Sequence, residues 1–259
     1  MANSLARPAK RIVSLVPSVT ESLFCLGLGE RIVGITDWCV HPSDRVSGLP
    51  RVGGTKNPLV RQILELEPDL VIANREENRK RTVVALRTAG VDVWVTFPQT
   101  VQDGVVLLRE LADLGATAEA VASVVRPVEE AVRAAEEQRP TRSLPVFCPI
   151  WKNPWMAVGG DTYASSLLEL CGGANVFADC GDRRYPIVEL DQIVAAAPEV
   201  ILLPSEPYDF GRREALELAA LTIPAARNGR IHLIDGTLVS WYGPRIEPAI
   251  ATIRTLLFD

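Results

Sequence analysis

Cys39-Val40-His41 sets a thiol and an imidazole two positions apart. These residue types ligate zinc or iron, and together they can also serve as nucleophile and base. Two ligands leave a metal site incomplete, so His41 also reads as a cap on the metal of a bound chelate. The other histidine, His232, lies in an apolar run and reads as structural. Four of the five tryptophans, Trp38, Trp151, Trp155 and Trp241, follow predicted strands, with Tyr208 and Tyr242 near them. Rings in such places offer flat apolar area to a planar ligand, and the alternative is that they cap the cores. Trp94 lies inside a predicted strand and reads as core. Asn74-Arg75-Glu76-Glu77-Asn78 and Ser205-Glu206-Pro207-Tyr208-Asp209-Phe210 form two acidic loops. Asn74, Glu76 and Glu206 are candidates for holding a cationic or hydroxyl-rich ligand or a hard metal ion, against the alternative of solvated charged loops. Lys56, Lys152, Arg183 and Arg184 stand in predicted rim loops, where a ligand carboxylate or phosphate would meet them. No GxSxG, P-loop or HExxH pattern is present, so no catalytic residue is assigned.

The elements that must position these residues repeat. Gln62-Ile63-Leu64 leads to Pro68-Asp69-Leu70-Val71-Ile72, and 130 positions later Gln192-Ile193-Val194 leads to Pro198-Glu199-Val200-Ile201-Leu202. Ser22-Leu23 through Ile32 matches Ser166-Leu167 through Val176, and Gly90 and Gly229 each precede an apolar run. Short Val- and Ile-rich runs alternate with helical patterns, which predicts βαβ units and parallel sheet. The expected fold is therefore α/β, with two similar lobes of parallel sheet flanked by helices. Residues 1–114 form one lobe and 141–259 the other, joined by one long helix within 115–140, with a ligand cleft where the lobes face each other. Strands are predicted at 11–16, 31–36, 69–73, 91–96, 145–150, 175–178, 199–203 and 230–234. Helices are predicted at 19–26, 59–66, 79–89, 101–114, 117–139, 162–171, 190–196, 214–220 and 248–258. Ser18-Val19-Thr20-Glu21 reads as a capping box, Asp161 as a second N-cap, and Pro127 as a kink in the linking helix.

Composition sets bounds. The net charge of −5 with no basic stripe argues against nucleic acid as a partner. No apolar run approaches the ~18 residues of a membrane span. The first eleven residues lack the apolar core of about 7–15 residues that a signal peptide carries. The sequence as written is expected to be cytoplasmic, or periplasmic or extracellular if an export signal has been removed. Five cysteines without a CxxC pair are not a disulfide framework, and Cys25, Cys148 and Cys171 read as core thiols. A monomer is expected.

Arg11-Ile12-Val13-Ser14-Leu15-Val16-Pro17-Ser18-Val19-Thr20-Glu21, Leu49-Pro50-Arg51-Val52-Gly53, Leu66-Glu67-Pro68-Asp69-Leu70-Val71-Ile72, Leu170-Cys171-Gly172-Gly173-Ala174-Asn175 and Gly243-Pro244-Arg245-Ile246 follow one another in a familiar order. Together they resemble the helical-backbone (class III) substrate-binding proteins of ABC importers, nearest to the vitamin B12 receptors and the helical-backbone metal receptors. The resemblance implies a non-catalytic ligand-binding protein with no obligatory cofactor, whose small-molecule ligand is a corrinoid, a haem or an iron chelate. Two departures stand out. Thr55-Lys56-Asn57 replaces a loop in which B12 receptors carry an aromatic residue. Arg61 stands where the family has a glutamate that docks a permease arginine, which puts an importer partner in doubt. The second reading is a cytoplasmic metal-handling protein or enzyme built on Cys39, His41 and the acidic loops.

Overall fold

The computed structural model describes residues 9–181 and 183–259. In chain order the first elements are β1 (Ile12–Ser14), α1 (Pro17–Cys25), β2 (Ile32–Ile35), α2 (Ser43–Val46), α3 (Val60–Glu65), β3 (Leu70–Asn74), α4 (Lys80–Thr88), β4 (Val93–Thr96) and α5 (Val101–Ala112). A helical run follows, made of α6 (Ala118–Ala120), a π-helical stretch Val121–Val125 and α7 (Arg126–Glu137). Then come β5 (Leu144–Phe147), β6 (Pro149–Trp151), β7 (Met156–Ala157), α8 (Tyr163–Leu170), β8 (Gly173–Asn175), α9 (Leu190–Ala196), β9 (Val200–Pro204), α10 (Arg212–Ala219), α11 (Pro224–Arg227), β10 (Ile231–Ile234), α12 (Thr237–Ser240) and α13 (Ile246–Phe258).

The chain gathers into two compact units. Unit 1 runs to Pro98 and includes Asp103–Val128 and Tyr242–Pro244; unit 2 holds Gln99–Gln102, Glu129–Trp241 and Arg245–Asp259. The first sheet has the order β2-β1-β3-β4 and the second β10-β9-β5-β8, and every pairing within them is parallel. Read by rank along the chain, both sheets run second, first, third, fourth. The repeat extends to backbone dihedrals. Glu67 and Ala197, each just before the matched proline, are left-handed at φ 44° and 45°. Proline disfavours the α region for the residue before it. The chain therefore leaves α3 and α9 by the same sharp turn into β3 and β9.

Alternation along the strands decides the cores. In unit 1, Val13, Leu15, Val71, Ala73 and Val93 pack with Ile63 and Leu86 from α3 and α4. In unit 2, Phe147, Ile201 and Leu203 pack with Ile193, Leu218 and an aromatic group described below.

Several local expectations change. Helix α1 starts one residue ahead of the proposed capping box: Val16 is its N-cap, Pro17 is the first helical residue, and no side chain caps it. Proline's fixed φ and missing N–H suit that first position, which leaves Ser18 inside the helix. In α8 the cap is Thr162, whose Oγ1 accepts from Ser165 N at 3.2 Å, and Asp161 instead pairs with Arg184 at 2.8 Å. The strand expected at 175–178 stops at Asn175, because the Asn175 amide oxygen accepts from Phe177 N and turns the chain. The strand expected at 145–150 is split, its second half pairing with β7 as a short antiparallel hairpin. Cys25 is exposed, whereas Cys148 and Cys171 are buried, and burial pushes both thiols up to about 12. Pro127 lies two residues beyond the end of the π-helical stretch, so the carbonyl four residues back, that of Ser123, is inside it. A proline's ring crowds the carbonyl four residues back, and a wider turn is one way for a helix to absorb it.

Candidate ligand-binding site

In parallel α/β sheets the open positions lie beyond the carboxyl ends of the strands. In unit 1 those ends carry small polar residues: Ser14 closes β1, Thr36 follows β2, Asn74 closes β3 and Thr96 closes β4, and all four are buried. Buried polar groups need partners, and these have them. Thr20 Oγ1 lies 2.8 Å from Ser14 Oγ and 3.1 Å from Cys39 Sγ, and Thr36 Oγ1 is 3.2 Å from the same sulfur. The Asn74 amide nitrogen donates to Tyr242 Oη at 2.9 Å, and its oxygen accepts from Glu76 N at 2.7 Å. Asn78 accepts from Asn74 N and donates to the carbonyls of Leu15 and Thr55. Asn74 and Asn78 are thus spent on shaping the loop, which presents Glu76 and Glu77. Lys56 donates to the Glu76 carbonyl. Burial, with the Glu77 carboxylate as a second cause, raises the Tyr242 hydroxyl above its ordinary range.

The segment between β2 and α3 is tied by Arg51, whose guanidinium donates to the carbonyls of Thr36 at 2.8 Å and Cys39 at 3.0 Å. That clamp leaves Trp38 65% exposed and His41 half-buried before a cis Pro42. Cys39 points the other way. It is fully buried, and desolvation raises its pKa, so the thiol stays neutral near pH 7. The expected Cys39–His41 ligand pair is therefore not presented as a unit. Among the described residues, no three His, Cys, Asp or Glu side chains converge on a metal-sized point.

Unit 2 is built differently at the same edge. The β6–β7 hairpin and the loop after β9 bring together a row of rings. Trp151 meets Tyr208 edge-on at 5.7 Å and 74°, Tyr208 meets Phe210 at 4.7 Å, and Phe210 stacks on Trp155 at 5.6 Å and 8°. Trp155 then reaches Phe147 at the core. Only the outer end of this row is open: Trp151 is 43% exposed and Trp155 7%. Trp155 was a candidate for ligand contact, but it is a core ring here. Its indole N–H donates to Glu217, and the Lys152 ammonium lies 4.1 Å from its centroid. Lys152, expected on a rim, is buried and paired with Glu217. Trp241 is also buried, with the Arg245 guanidinium 4.9 Å from its ring. Glu206, half-buried, accepts from Ser240 Oγ at 2.6 Å. A Cβ at Gly236 would run into the backbone of Glu206, so only glycine lets that loop close there.

Two like sheets in the same strand order, with loops displayed at their carboxyl ends, meet a sequence profile that decides the family. The profile described as "Periplasmic binding protein" matches residues 12–238. The chain belongs to this family. A vitamin B12-binding protein of Vibrio parahaemolyticus is 25% identical over 253 residues, covering 95% of this chain and 88% of that one. A vitamin B12-binding protein of Yersinia pestis is 28% identical over 221 residues, covering 85% and 78%. Among solved structures, the periplasmic heme-binding protein RhuT from Roseiflexus sp. RS-1 aligns with a TM-score of 0.80 at 25% identity, covering 97% and 98%. The periplasmic vitamin B12 binding protein BtuF of Vibrio cholerae aligns at 0.83 and 24%, covering 96% and 97%.

Within this periplasmic binding protein frame, Arg61 and its repeat partner Asp191 occupy the second position of α3 and α9. The Arg61 side chain is 92% exposed and pairs along the helix with Glu65 at 2.9 Å. No helix among the described residues is long and apolar enough to cross a membrane. Sequence reasoning missed the roles of Arg51, Ser14, Thr36 and Thr96. The position of each polar residue just at or after an apolar strand was the available signal.

Proposed function

We propose that this chain is a non-catalytic receptor for a flat, metal-chelating small molecule of the corrinoid, haem or iron-chelate type. The observation that carries the reading is the Trp151–Tyr208 pair, an open indole braced edge-on at the carboxyl end of the unit 2 sheet. An exposed ring held in one orientation loses little entropy when a planar ligand stacks on it. Glu206, which accepts from Ser240, and Tyr208, whose hydroxyl lies 3.5 Å from Glu214, are the polar groups of the adjoining loop for the amide or hydroxyl fringe of such a ligand. Trp38, His41, Lys56 and Glu76 make the corresponding set in unit 1. The enzyme reading loses its proposed nucleophile with the burial of Cys39.

The B12- and heme-binding relatives support the ligand class. Arg61 separates this chain from the importer-docking pattern that the resemblance implies. We therefore read it as a monomeric receptor that acts without a B12-type permease, in the cytoplasm, or in the periplasm or outside the cell if an export signal is removed. The test is titration of purified protein with hydroxocobalamin, haemin and a ferric catecholate, read by absorbance and tryptophan quenching, beside native mass spectrometry of the protein as isolated. One saturable chelate that loses affinity in Trp151→Ala supports the reading. Absence of saturation by every chelate, with no co-purified small molecule, would overturn it.

A further inference from the structure

Trp38 and His41 stand on a stretch of chain with little regular structure of its own. Strand β2, at the edge of the unit 1 sheet, ends at Ile35, and the one-turn helix α2 is the element that follows. The chain then comes back along that edge. Ile35 N donates to the Pro50 carbonyl, Val52 N to the Ile35 carbonyl and Asp37 N to the Gly53 carbonyl, all within 3.0 Å. Arg51 is thereby bridged to Ile35 in parallel, where the loop begins and ends. Its guanidinium reaches into the loop. Nη1 donates to the Thr36 carbonyl at 2.8 Å and the Cys39 carbonyl at 3.0 Å, with the Asp37 carbonyl at 3.5 Å. Nη2 lies 3.4 Å from the carbonyl of Val46, the last residue of α2.

Four carbonyls thus converge on one cation. Carbonyl dipoles gathered this way repel one another and need a donor. A guanidinium suits them, being planar, permanently charged and rich in donors of fixed direction. The carbonyls it holds lie on both sides of Trp38 in the chain and on both sides of His41. From the opposite side Cys39 is anchored in the core, its sulfur 3.1 Å from Thr20 Oγ1 and 3.2 Å from Thr36 Oγ1. The backbone is therefore fixed at two points around Trp38, and the indole is sent outward, where its nitrogen lies 3.7 Å from the place a Cβ on Gly54 would take. An exposed ring on unpinned chain would sample many positions, and a ligand would have to collect them into one.

We propose that Arg51 is a positioning residue for ligand capture: without touching the ligand, it holds the Trp38–His41 face in the form that receives it. The role in capture rests on the flat-ligand reading of Trp38 and His41, whereas the clamp stands on its own contacts. If loss of the guanidinium leaves the receptive form about one-tenth populated, apparent affinity falls about tenfold. The cradle consists of backbone carbonyls, so Arg51→Ala leaves it intact, and a free ion of the same shape can refill it.

The full chain labelled with 5-fluorotryptophan tests the clamp by fluorine NMR, with the Trp38 resonance assigned through Trp38→Phe. That resonance should be single and narrow in the parent and broadened, or moved toward the free amino acid, in Arg51→Ala. Millimolar methylguanidinium should restore it, and tetramethylammonium should not. Titration with hydroxocobalamin and with haemin tests capture. Arg51→Ala should bind the chelate that the parent binds about tenfold more weakly, with methylguanidinium returning most of the loss. Arg51→Lys, which keeps the charge without the planar fork, should fall between, and it carries the same tests if Arg51→Ala does not fold. In a Trp38→Ala background the further loss from Arg51→Ala should be less than about twofold, because both act on one contact. A Trp38 resonance unchanged in the Arg51 variants, equal restoration by tetramethylammonium, or affinity lost in Trp38→Ala but kept in Arg51→Ala overturns the proposal. Affinity unchanged in Trp38→Ala, or no chelate bound by the parent, counts against the flat-ligand reading instead, and the fluorine resonance then decides the clamp alone.

Discussion

Replacing Trp155 and Trp151 by alanine should give opposite phenotypes, although the two residues are four apart on one hairpin. Trp155 is 7% exposed and stacked on Phe210. A buried tryptophan removes roughly 200 Å² from water, which at about 25 cal/mol per Å² contributes up to ~5 kcal/mol. Truncation of such rings costs about 3–5 kcal/mol, since part of the cavity collapses. The variant also takes one donor from Glu217, which keeps Lys152. For a chain of this size, ~4 kcal/mol corresponds to a fall in Tm of roughly 8–16 °C. Trp151, with 43% of its surface exposed, should cost the fold about 1 kcal/mol or less. Its loss should instead weaken chelate binding by about 1–3 kcal/mol, roughly five- to 150-fold. Thermal and urea unfolding followed by circular dichroism give the first quantity, and chelate titration of the folded variants gives the second. If Trp155→Ala melts within about 2 °C of the parent yet fails to bind, the buried ring is a ligand face after all. If Trp151→Ala binds as tightly as the parent, the stacking argument is wrong.

Three further outcomes are expected. Reconstituted with a B12-type importer, the parent chain should not stimulate transport while Arg61→Glu should gain docking, because like charges at an interface cost several kcal/mol, on the order of ~3; equal, tight docking by both would restore the importer reading. Ala197→Gly should raise stability by about 0.5 kcal/mol in urea unfolding, because relief of a left-handed alanine at φ 45°, worth about 1–2 kcal/mol, exceeds the entropy that glycine adds to the unfolded chain. Stability should be level near pH 8 and fall as pH rises from about 9 toward 12. The Cys148 and Cys171 thiols ionise near 9 when unfolded but are pushed up to about 12 by burial when folded, so their contribution is complete below the unfolded value and disappears above it. Urea midpoints that stay level from pH 8 to pH 11 would contradict that burial.

The fold was written in the sequence because it rests on local, repeated signals. Pro68 and Pro198 at the same offset as their flanking apolar runs implied matching turns into matching strands, and the structure gives Glu67 and Ala197 the same left-handed φ. Strand alternation and helix periodicity need only near neighbours to be read. The site was less legible, since exposure depends on residues distant in sequence. Trp151 and Trp155 look alike in the chain, and only Phe210, from the loop after β9, and Glu217, from α10, which also pairs with Lys152 of the same hairpin, make one of them core. Cys39 looks like a metal ligand until Thr20 and Thr36 enclose it, and Lys152 like a rim charge until Glu217 pairs with it. Trp94 misled in the other direction: a strand position predicts burial, but an edge strand has no neighbour on one side, and α5 leaves a groove over the ring. Residue type and spacing determined which groups this protein owns. Packing alone decided which of them face solvent, because burial is set by contacts that no local pattern encodes.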